Sequence, residues 1–174
     1  MVRVSQPARV VVALAAAALI TASCAYTTST ALLPSHLKTV AIPVFENATT
    51  EHTLEQDVTD AVIARFVSDN HLKVVDERSA DAVVKGKITE YRNTVFGFSQ
   101  SAQAQEYRVT LTASVTFKDQ VKNRELWSES ALVKTANYYV VDTPGAPAKT
   151  ELDGRRDAIA KLAEEIVTRS VEGW

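Results

Sequence analysis

The chain has 174 residues, of which 46% are hydrophobic and 23% charged, values typical of a single globular domain rather than a disordered chain. Its only cysteine excludes an internal disulfide and a multi-cysteine zinc site. Its formal net charge of −2 argues against a generally basic protein that binds nucleic acid.

The first 23 residues have the pattern of a signal peptide that is removed from the mature protein. Arg3 and Arg9 give a positive start, residues 10–20 are eleven apolar residues, and residues 21–23 are small. A membrane-spanning helix takes about 20 residues, so a short anchor or a buried helix is the weaker alternative. Cleavage would remove both arginines and leave 17 basic against 21 acidic residues.

The cysteine follows this segment directly, in the string ITASC, which resembles the acylation site of bacterial lipoproteins. Each buried methylene of an acyl chain contributes about 0.8 kcal/mol, so several chains on one cysteine hold a protein durably at a membrane. We therefore expect Cys24 to be a lipid attachment site and residues 24–37, rich in Thr and Ser, to be a tether. In such lipoproteins an aspartate directly after the cysteine resembles a signal for retention in the inner membrane. This chain has Ala25 at that position, and the absence of the aspartate points to the outer membrane.

The remaining residues, 38–174, predict one folded domain that begins with a strand. Val40, Ile42 and Val44 alternate with other residues, as in a half-buried strand. Pro43 cannot donate a hydrogen bond, which places this strand at a sheet edge or at its own end.

Two segments have the period of amphipathic helices. In the first, TLEQDVTDAVIARFVSDN, Thr53 and Gln56 predict a capping box and Asn70 a stop. The second, DGRRDAIAKLAEEIVTRSV, places its apolar residues on one stripe and follows a loop, DTPGAPAKTELD.

Strand patterns fill the space between the two helices. LKVVD predicts a short strand, and DAVVKGKITEYRNTVFGF a long one with a bulge near Gly86. EYRVTLTASVTFK alternates strictly, so one of its faces must be core and the other wet. LWSESALVKTANYYV begins as a further strand. The prediction is an α+β fold: a single sheet of four to five mostly antiparallel strands with both helices on one face, in the order β-α-β-β-β-(β)-α.

Residues suited to catalysis are scarce. The sequence has no GxSxG elbow, P-loop, HExxH helix or dinucleotide glycine motif. Glu51 and His52 are interpreted as a solvated helix entrance, because a catalytic dyad also needs a nucleophile and an orienting group. Asp57 and Asp60 lie one helical turn apart but lack further ligands. We predict no enzyme activity, no metal and no cofactor.

Several aromatic residues lie at predicted strand ends and loops. Phe98, Tyr138 and Tyr139 are candidate anchors for a partner protein, because aromatic side chains bring large contact area at low entropic cost. For Phe96 we favour burial in the protein's own core.

Three basic residues lie in predicted loops. Lys122, Arg124 and Lys149 are candidate contacts for lipid phosphates through charge-assisted hydrogen bonds. Ordinary solvated charge is the alternative for each of them singly.

The ordered strings SCAY, LLPSHLKTVAIPVFEN, GKITEYRNTVF, AQEYRVTLTASVTF and AKTELDGRRDAIAKLAEEIV resemble the LptE family of lipopolysaccharide-assembly lipoproteins. The resemblance covers essentially the whole mature chain. It implies an outer-membrane lipoprotein that plugs the β-barrel translocon LptD, assists its assembly and helps to deliver lipopolysaccharide. It also implies lipopolysaccharide contact through basic loop residues, of which Lys149 matches best by position, whereas Gly97 stands where a second basic residue would be expected.

A second resemblance keeps an alternative open. VAIPVFENATTE is also similar to the first strand and loop of the TolB amino-terminal and curli-export proteins. It implies a periplasm-facing lipoprotein adaptor that binds a soluble enzyme or forms a ring without touching lipopolysaccharide.

Overall fold

The computed structural model describes residues 33–142, 144 and 147–172. Two helices, α1 and α2, accompany a six-stranded sheet. In chain order the elements are β1 Thr39–Ala41, β2 Glu46–Asn47, α1 Leu54–Asp69, β3 Lys73–Val74, β4 Ala82–Phe98, β5 Ala104–Asp119, β6 Arg124–Tyr139 and α2 Glu151–Val171. The α+β class is confirmed.

The sheet differs from the prediction in strand number and direction. Its order is β3-β1-β4-β5-β6, and β2 pairs with β4 outside this path. β1 pairs in parallel with both β3 and β4, and β2 also runs parallel to β4, whereas β4, β5 and β6 form an antiparallel meander. The expected four to five mostly antiparallel strands are therefore six strands in a mixed sheet. The extra strand, β2, has two residues, too few for any periodic signal.

β5 has the two faces that its alternation predicts. Its side chains at 109, 111, 113, 115 and 117 are at most 1% exposed. They belong to one core with the apolar stripes of both helices, including Val62 and Phe66 of α1 and Leu162 and Ile166 of α2. The other face carries Thr, Ser, Arg and Lys side chains and is named the open face below.

Close packing, rather than a bulge, explains the glycine in β4. A Cβ atom at Gly86 would lie 1.9 Å from Cε1 of the buried Phe45 ring, so the strand needs a residue without a side chain. The irregularity nearest to Gly86 lies between Ile88 and Glu90, so the bulge expected near Gly86 begins two residues further along β4, and the other irregularities flank Gly97.

Strand β1 ends before its proline. It stops at Ala41 and lies between β3 and β4, so Pro43 marks the end of the strand and not a sheet edge. Val44, expected to continue the alternation inward, is 61% exposed.

The helix ends are formed partly as predicted. Thr53 precedes α1 with φ 65° but makes no capping hydrogen bond, so the capping box predicted there was wrong. Asn70 ends α1 in the left-handed conformation and donates its N–H to the Phe66 carbonyl, as expected. The capping box of the protein lies instead at α2, between Thr150 and Asp153.

The residues before β1 are fixed to one end of the sheet. Nε2 of His36 lies 2.8 Å from Oδ2 of Asp119, at the end of β5, and Leu37 is buried. The N–H groups of Lys38 and Thr39 donate to one oxygen of Asp81, each at 2.9 Å. The last part of the predicted tether therefore packs against the folded body, and the chain enters the sheet beside the β5–β6 turn.

Candidate functional site

The end of the sheet farthest from the β5–β6 turn exposes a group of apolar side chains. We name this group the aromatic tip; its members are between 40% and 66% exposed and comprise Val95, Phe96, Phe98, Tyr139 and Val140. Strand pairing brings these residues to one end of the sheet: Gly97 pairs with Glu106, and Glu106 pairs with Tyr139. Isolated exposed apolar residues are ordinary, whereas several at one end of a sheet form a candidate contact surface.

Arg108 of β5 contacts one phenylalanine of the aromatic tip. The guanidinium carbon of Arg108 lies 3.5 Å from the centroid of the Phe96 ring. Nε of Arg108 donates to Oδ1 of Asn137 at 2.8 Å, and Nδ2 of Asn137 donates to Oε1 of Glu106 at 2.8 Å. Phe96 is 49% exposed, so its expected burial in the core was wrong.

Tyr138 does not belong to the exposed group. It is 3% exposed, stacks on Tyr107 with ring centroids 5.5 Å apart, and accepts a hydrogen bond from Nδ2 of Asn93 at 2.8 Å. A Cβ at Gly154 of α2 would lie 2.5 Å from its ring, and burial raises the pKa of its hydroxyl. Its interpretation as an exposed interface anchor is therefore corrected: Tyr138 is a core residue, while Tyr139 and Phe98 are exposed as an anchor requires.

Lys149 lies beside the aromatic tip and already has a partner. Its N–H donates to the carbonyl of Tyr139 at 2.7 Å, which places the residue at this end of β6. Its ammonium group lies 2.8 Å from Oδ2 of Asp157, and this hydrogen bond raises the pKa of Lys149. An anionic ligand at Lys149 would have to compete with, or share, that carboxylate.

The other two candidate phosphate contacts lie at the opposite end of the sheet. Lys122 is in the β5–β6 turn, and Arg124 opens β6 with Nε 3.8 Å from Oδ2 of Asp119. Glu106, which pairs with Tyr139, and Asp119 are separated by thirteen steps along β5, a rise of about 40 Å. Lys149 therefore cannot form one site with Lys122 and Arg124.

A partly buried ionic cluster joins the starts of both helices to β4. Nη2 of Arg155 donates to Oε2 of Glu51 at 2.7 Å, and its Nε donates to the hydroxyl of Tyr91 at 3.3 Å. The Tyr91 hydroxyl donates to Glu151 at 2.8 Å, and burial is the main cause that raises its pKa to about 12. Glu51, interpreted as part of a solvated helix entrance, is 38% exposed just before α1 and also forms an ion pair with Arg155. No local pattern indicates the contact between Arg155 and Glu51, because the two residues are 104 positions apart.

The open face is polar along β5. Lys85 and Lys87 of β4 pair with Glu77 and Glu46 at 3.0 and 3.3 Å. Thr112 is 8% exposed because Glu90 and the neighbouring strands cover it. Such a face suits contact with a wet, polar surface rather than a second apolar layer.

The acidic pair Asp57 and Asp60, for which the sequence predicts no metal, lies at the surface between the helices. Asp57 and Asp60 line a shallow pocket with Arg155 and Arg156 between the two helices, and within the described ranges no three potential ligands come together around a metal position. No helix in the described part of the chain is long and apolar enough to cross a membrane. The predicted signal peptide and Cys24 lie outside the described residues.

These features define a small α+β protein with a polar sheet face and exposed apolar side chains at one end of the sheet. The chain belongs to the LptE family of lipopolysaccharide-assembly proteins, whose match covers residues 37–170. The family suggested by the sequence is thereby confirmed. No curated protein matches the chain.

Solved structures share the fold at low sequence identity. A hypothetical protein from Chlamydia trachomatis is similar with TM-score 0.54 and 14% identity, covering 76% of this chain and 95% of its own. A protein from Xanthomonas campestris gives TM-score 0.54 and 11% identity, covering 80% and 90%. A PelC dodecamer from Paraburkholderia phytofirmans gives TM-score 0.51 and 13% identity, covering 84% and 96%. At these identities the likeness concerns the fold alone.

Proposed function

We propose that this protein is an outer-membrane lipoprotein, acylated at Cys24, that plugs an LptD-type β-barrel, assists its assembly and helps to deliver lipopolysaccharide. It acts by binding and positioning, not by catalysis. The observation that supports this proposal most directly is the aromatic tip of a chain that belongs to the LptE family. Phe96 and Phe98 are 49% and 66% exposed, and exposed apolar area of this kind is typical of a surface that binds another molecule.

The dimensions of the sheet suit a plug. β4, β5 and β6 each have 16 or 17 residues, a length of about 50 Å before twist and bulges shorten it. A bilayer with its headgroup regions is about 40–45 Å thick. The meander is therefore long enough to extend through most of a barrel, with its open face toward the polar lumen.

Within this proposal the aromatic tip is the end that contacts both the barrel wall and passing lipopolysaccharide. Phe96 and Phe98 offer apolar area, while Arg108 and Lys149 offer cations beside it. Lys149→Gln should then weaken lipopolysaccharide binding to the purified protein, whereas Lys122→Gln, at the other end, should not. Equal binding by wild type and Lys149→Gln would remove Lys149 from the proposed contact.

The partner is tested by co-purification from membranes solubilised in detergent. The full chain should recover a large β-barrel protein, and Phe96→Ser with Phe98→Ser should reduce that recovery at least tenfold. Val44→Ser with Val67→Ser is the matched control, because these valines are 61% and 62% exposed but lie outside the aromatic tip. An equal loss in both double variants would contradict a specific role for the tip.

The anchor is tested separately by metabolic labelling with a radioactive fatty acid. Cys24→Ala should abolish the label, and its persistence would contradict acylation at this residue.

The adaptor interpretation remains the second candidate. The fold is shared with a protein that forms a dodecamer, and β6 has no strand on its outer edge among the described residues. Recovery of soluble periplasmic proteins alone, without a barrel, would favour that candidate.

A further inference from the structure

The β5–β6 turn places an apolar residue between basic ones. Val121 lies near its apex and is 62% exposed. Lys118 and Lys122 are exposed on either side of it, followed by Arg124. No carboxylate of the described residues lies within ion-pair distance of the ammonium groups of Lys118 or Lys122. An apolar side chain flanked by cations is the arrangement that suits the boundary between headgroups and acyl chains.

Acidic groups near this turn are mostly engaged elsewhere. Asp119 is fully buried, accepts hydrogen bonds from His36 and from the N–H of Lys122, and lies 3.8 Å from Nε of Arg124, whose side chain is half exposed. Asp81 accepts bonds from Lys38 and Thr39, and Glu77 pairs with Lys85. Glu125 is the exposed acid next to Arg124, and it accepts a hydrogen bond from the Ser128 hydroxyl. The outward charge of the turn is therefore positive.

The same turn holds the segment that leads to the proposed anchor. The His36–Asp119 contact fixes the residues before β1 to the end of β5. Between Cys24 and Leu33 there are eight residues, which can span at most about 30 Å. A chain anchored at Cys24 must keep this end of the sheet within that distance of the membrane surface.

From these contacts we infer that the β5–β6 turn binds the anionic phospholipid headgroups of the leaflet that holds the anchor. Lys118, Lys122 and Arg124 contact phosphates, and Val121 enters the interfacial region. This contact orients the sheet so that the aromatic tip points away from the anchoring leaflet. The inference rests on acylation at Cys24, which belongs to the proposed function, but not on the identity of the barrel partner.

The test uses the full acylated chain carrying Val121→Cys, labelled with a polarity-sensitive fluorophore, in vesicles. Acylation blocks the thiol of Cys24, so the label reports the turn alone. The emission should shift to the blue in phosphatidylcholine vesicles that contain phosphatidylglycerol, and high salt should reverse the shift. Lys118→Gln with Lys122→Gln should lower the ratio of membrane-bound to free turn about 30-fold, since each basic residue near an anionic surface contributes about 1 kcal/mol.

Two controls distinguish this contact from other causes. Arg156→Gln removes an exposed cation in the first turns of α2, away from the β5–β6 turn, and should leave the signal unchanged. A label at Ser101→Cys, in the β4–β5 turn, should stay in water in both kinds of vesicle. Circular dichroism confirms that each variant is folded.

Emission that is the same with and without phosphatidylglycerol would overturn the inference. So would a blue shift that appears only in vesicles containing lipopolysaccharide, because it would assign the turn to that lipid. Failure of acylation is recognised independently by the absence of fatty-acid label, and failure of the barrel partnership by co-purification.

Discussion

The two ends of the β4–β5–β6 meander are built from the same strands but differ in what covers them. Toward the β5–β6 turn, Val84, Ile88 and Phe117 are fully buried beneath the helices. Toward the aromatic tip, Val95 of β4, which pairs with Tyr107 on the same side of the sheet, is 42% exposed. Alternation along a strand therefore sets which side a residue faces, and the reach of the helices decides whether that side is core.

The boundary between the two ends falls between Tyr138 and Tyr139. α2 begins at Glu151, and its first turns lie over Tyr138 at Gly154. The next residue along β6, Tyr139, is 43% exposed. Two identical neighbours thus serve the core and the surface respectively.

This tyrosine pair gives the largest expected effect. Tyr138→Ala should lower the free energy of unfolding by about 3 kcal/mol, because it removes a buried ring and leaves a cavity. Tyr139→Ala should change it by less than about 0.5 kcal/mol, while reducing recovery of the barrel partner. Urea denaturation followed by circular dichroism measures both values. Similar losses in the two variants would break the distinction between the ends.

The glycines of β4 provide a second, smaller contrast. Gly86→Ala should cost about 2 kcal/mol of unfolding free energy, because the new Cβ meets the buried Phe45 ring, which has little room to move. Gly97→Ala, at the tip, would meet a carboxylate oxygen and the Cβ of Glu106 at 3.0 and 3.1 Å, a milder approach than at Gly86, so its cost should be about 1 kcal/mol. Thermal unfolding of both variants checks the order.

At the end of the sheet near the β5–β6 turn, the free energy of unfolding should depend on pH through Asp119. This is the smallest of the three expected changes in stability. Burial raises the pKa of Asp119, but hydrogen bonds from Lys122 and His36 outweigh it and hold the pKa below its ordinary value of 3.8. Its contribution is therefore full above about pH 4 and is lost as the pH falls through the folded-state pKa. Asp119→Asn should cost about 1.5 kcal/mol at pH 7, and the difference from wild type should shrink in acid. A difference that stays constant down to pH 2 would contradict this role of the carboxylate.

Much of the fold could be predicted because long elements produce long periodic signals. The core face of β5, both helices and the Asn70 stop were correctly predicted from spacing alone. The two-residue strands β2 and β3 are too short for a period, and the parallel pairing of β1 depends on residues more than 30 positions away. Local sequence contains no information on such pairing.

The sequence predicts which kinds of residue form the candidate site, but not which of them come together in the fold. Aromatic and basic residues at strand ends were recognised, yet Tyr138 is buried, Phe96 is exposed, and Lys149 lies far from Lys122. The alternating pattern of β5 identifies Arg108 only as a polar position. It does not predict the stacking of Arg108 on Phe96, because the two residues lie on neighbouring strands. Whether a side chain is free to bind depends on such cross-strand neighbours, which a linear pattern does not specify.

Within the proposed function, strand β1 also constrains the order in which the protein folds after translocation. Its residues emerge from the translocation channel first, but its partners Lys73–Val74 and Ala82–Val83 emerge more than 30 residues later. The local β4–β5–β6 meander should form early, and β1 should insert last, because distant pairings fold more slowly. The segment before β1 would then stay accessible to acylating enzymes until the body is nearly complete. Pulsed hydrogen exchange during refolding should show protection of β5 before Val40, and the reverse order would exclude this sequence of events.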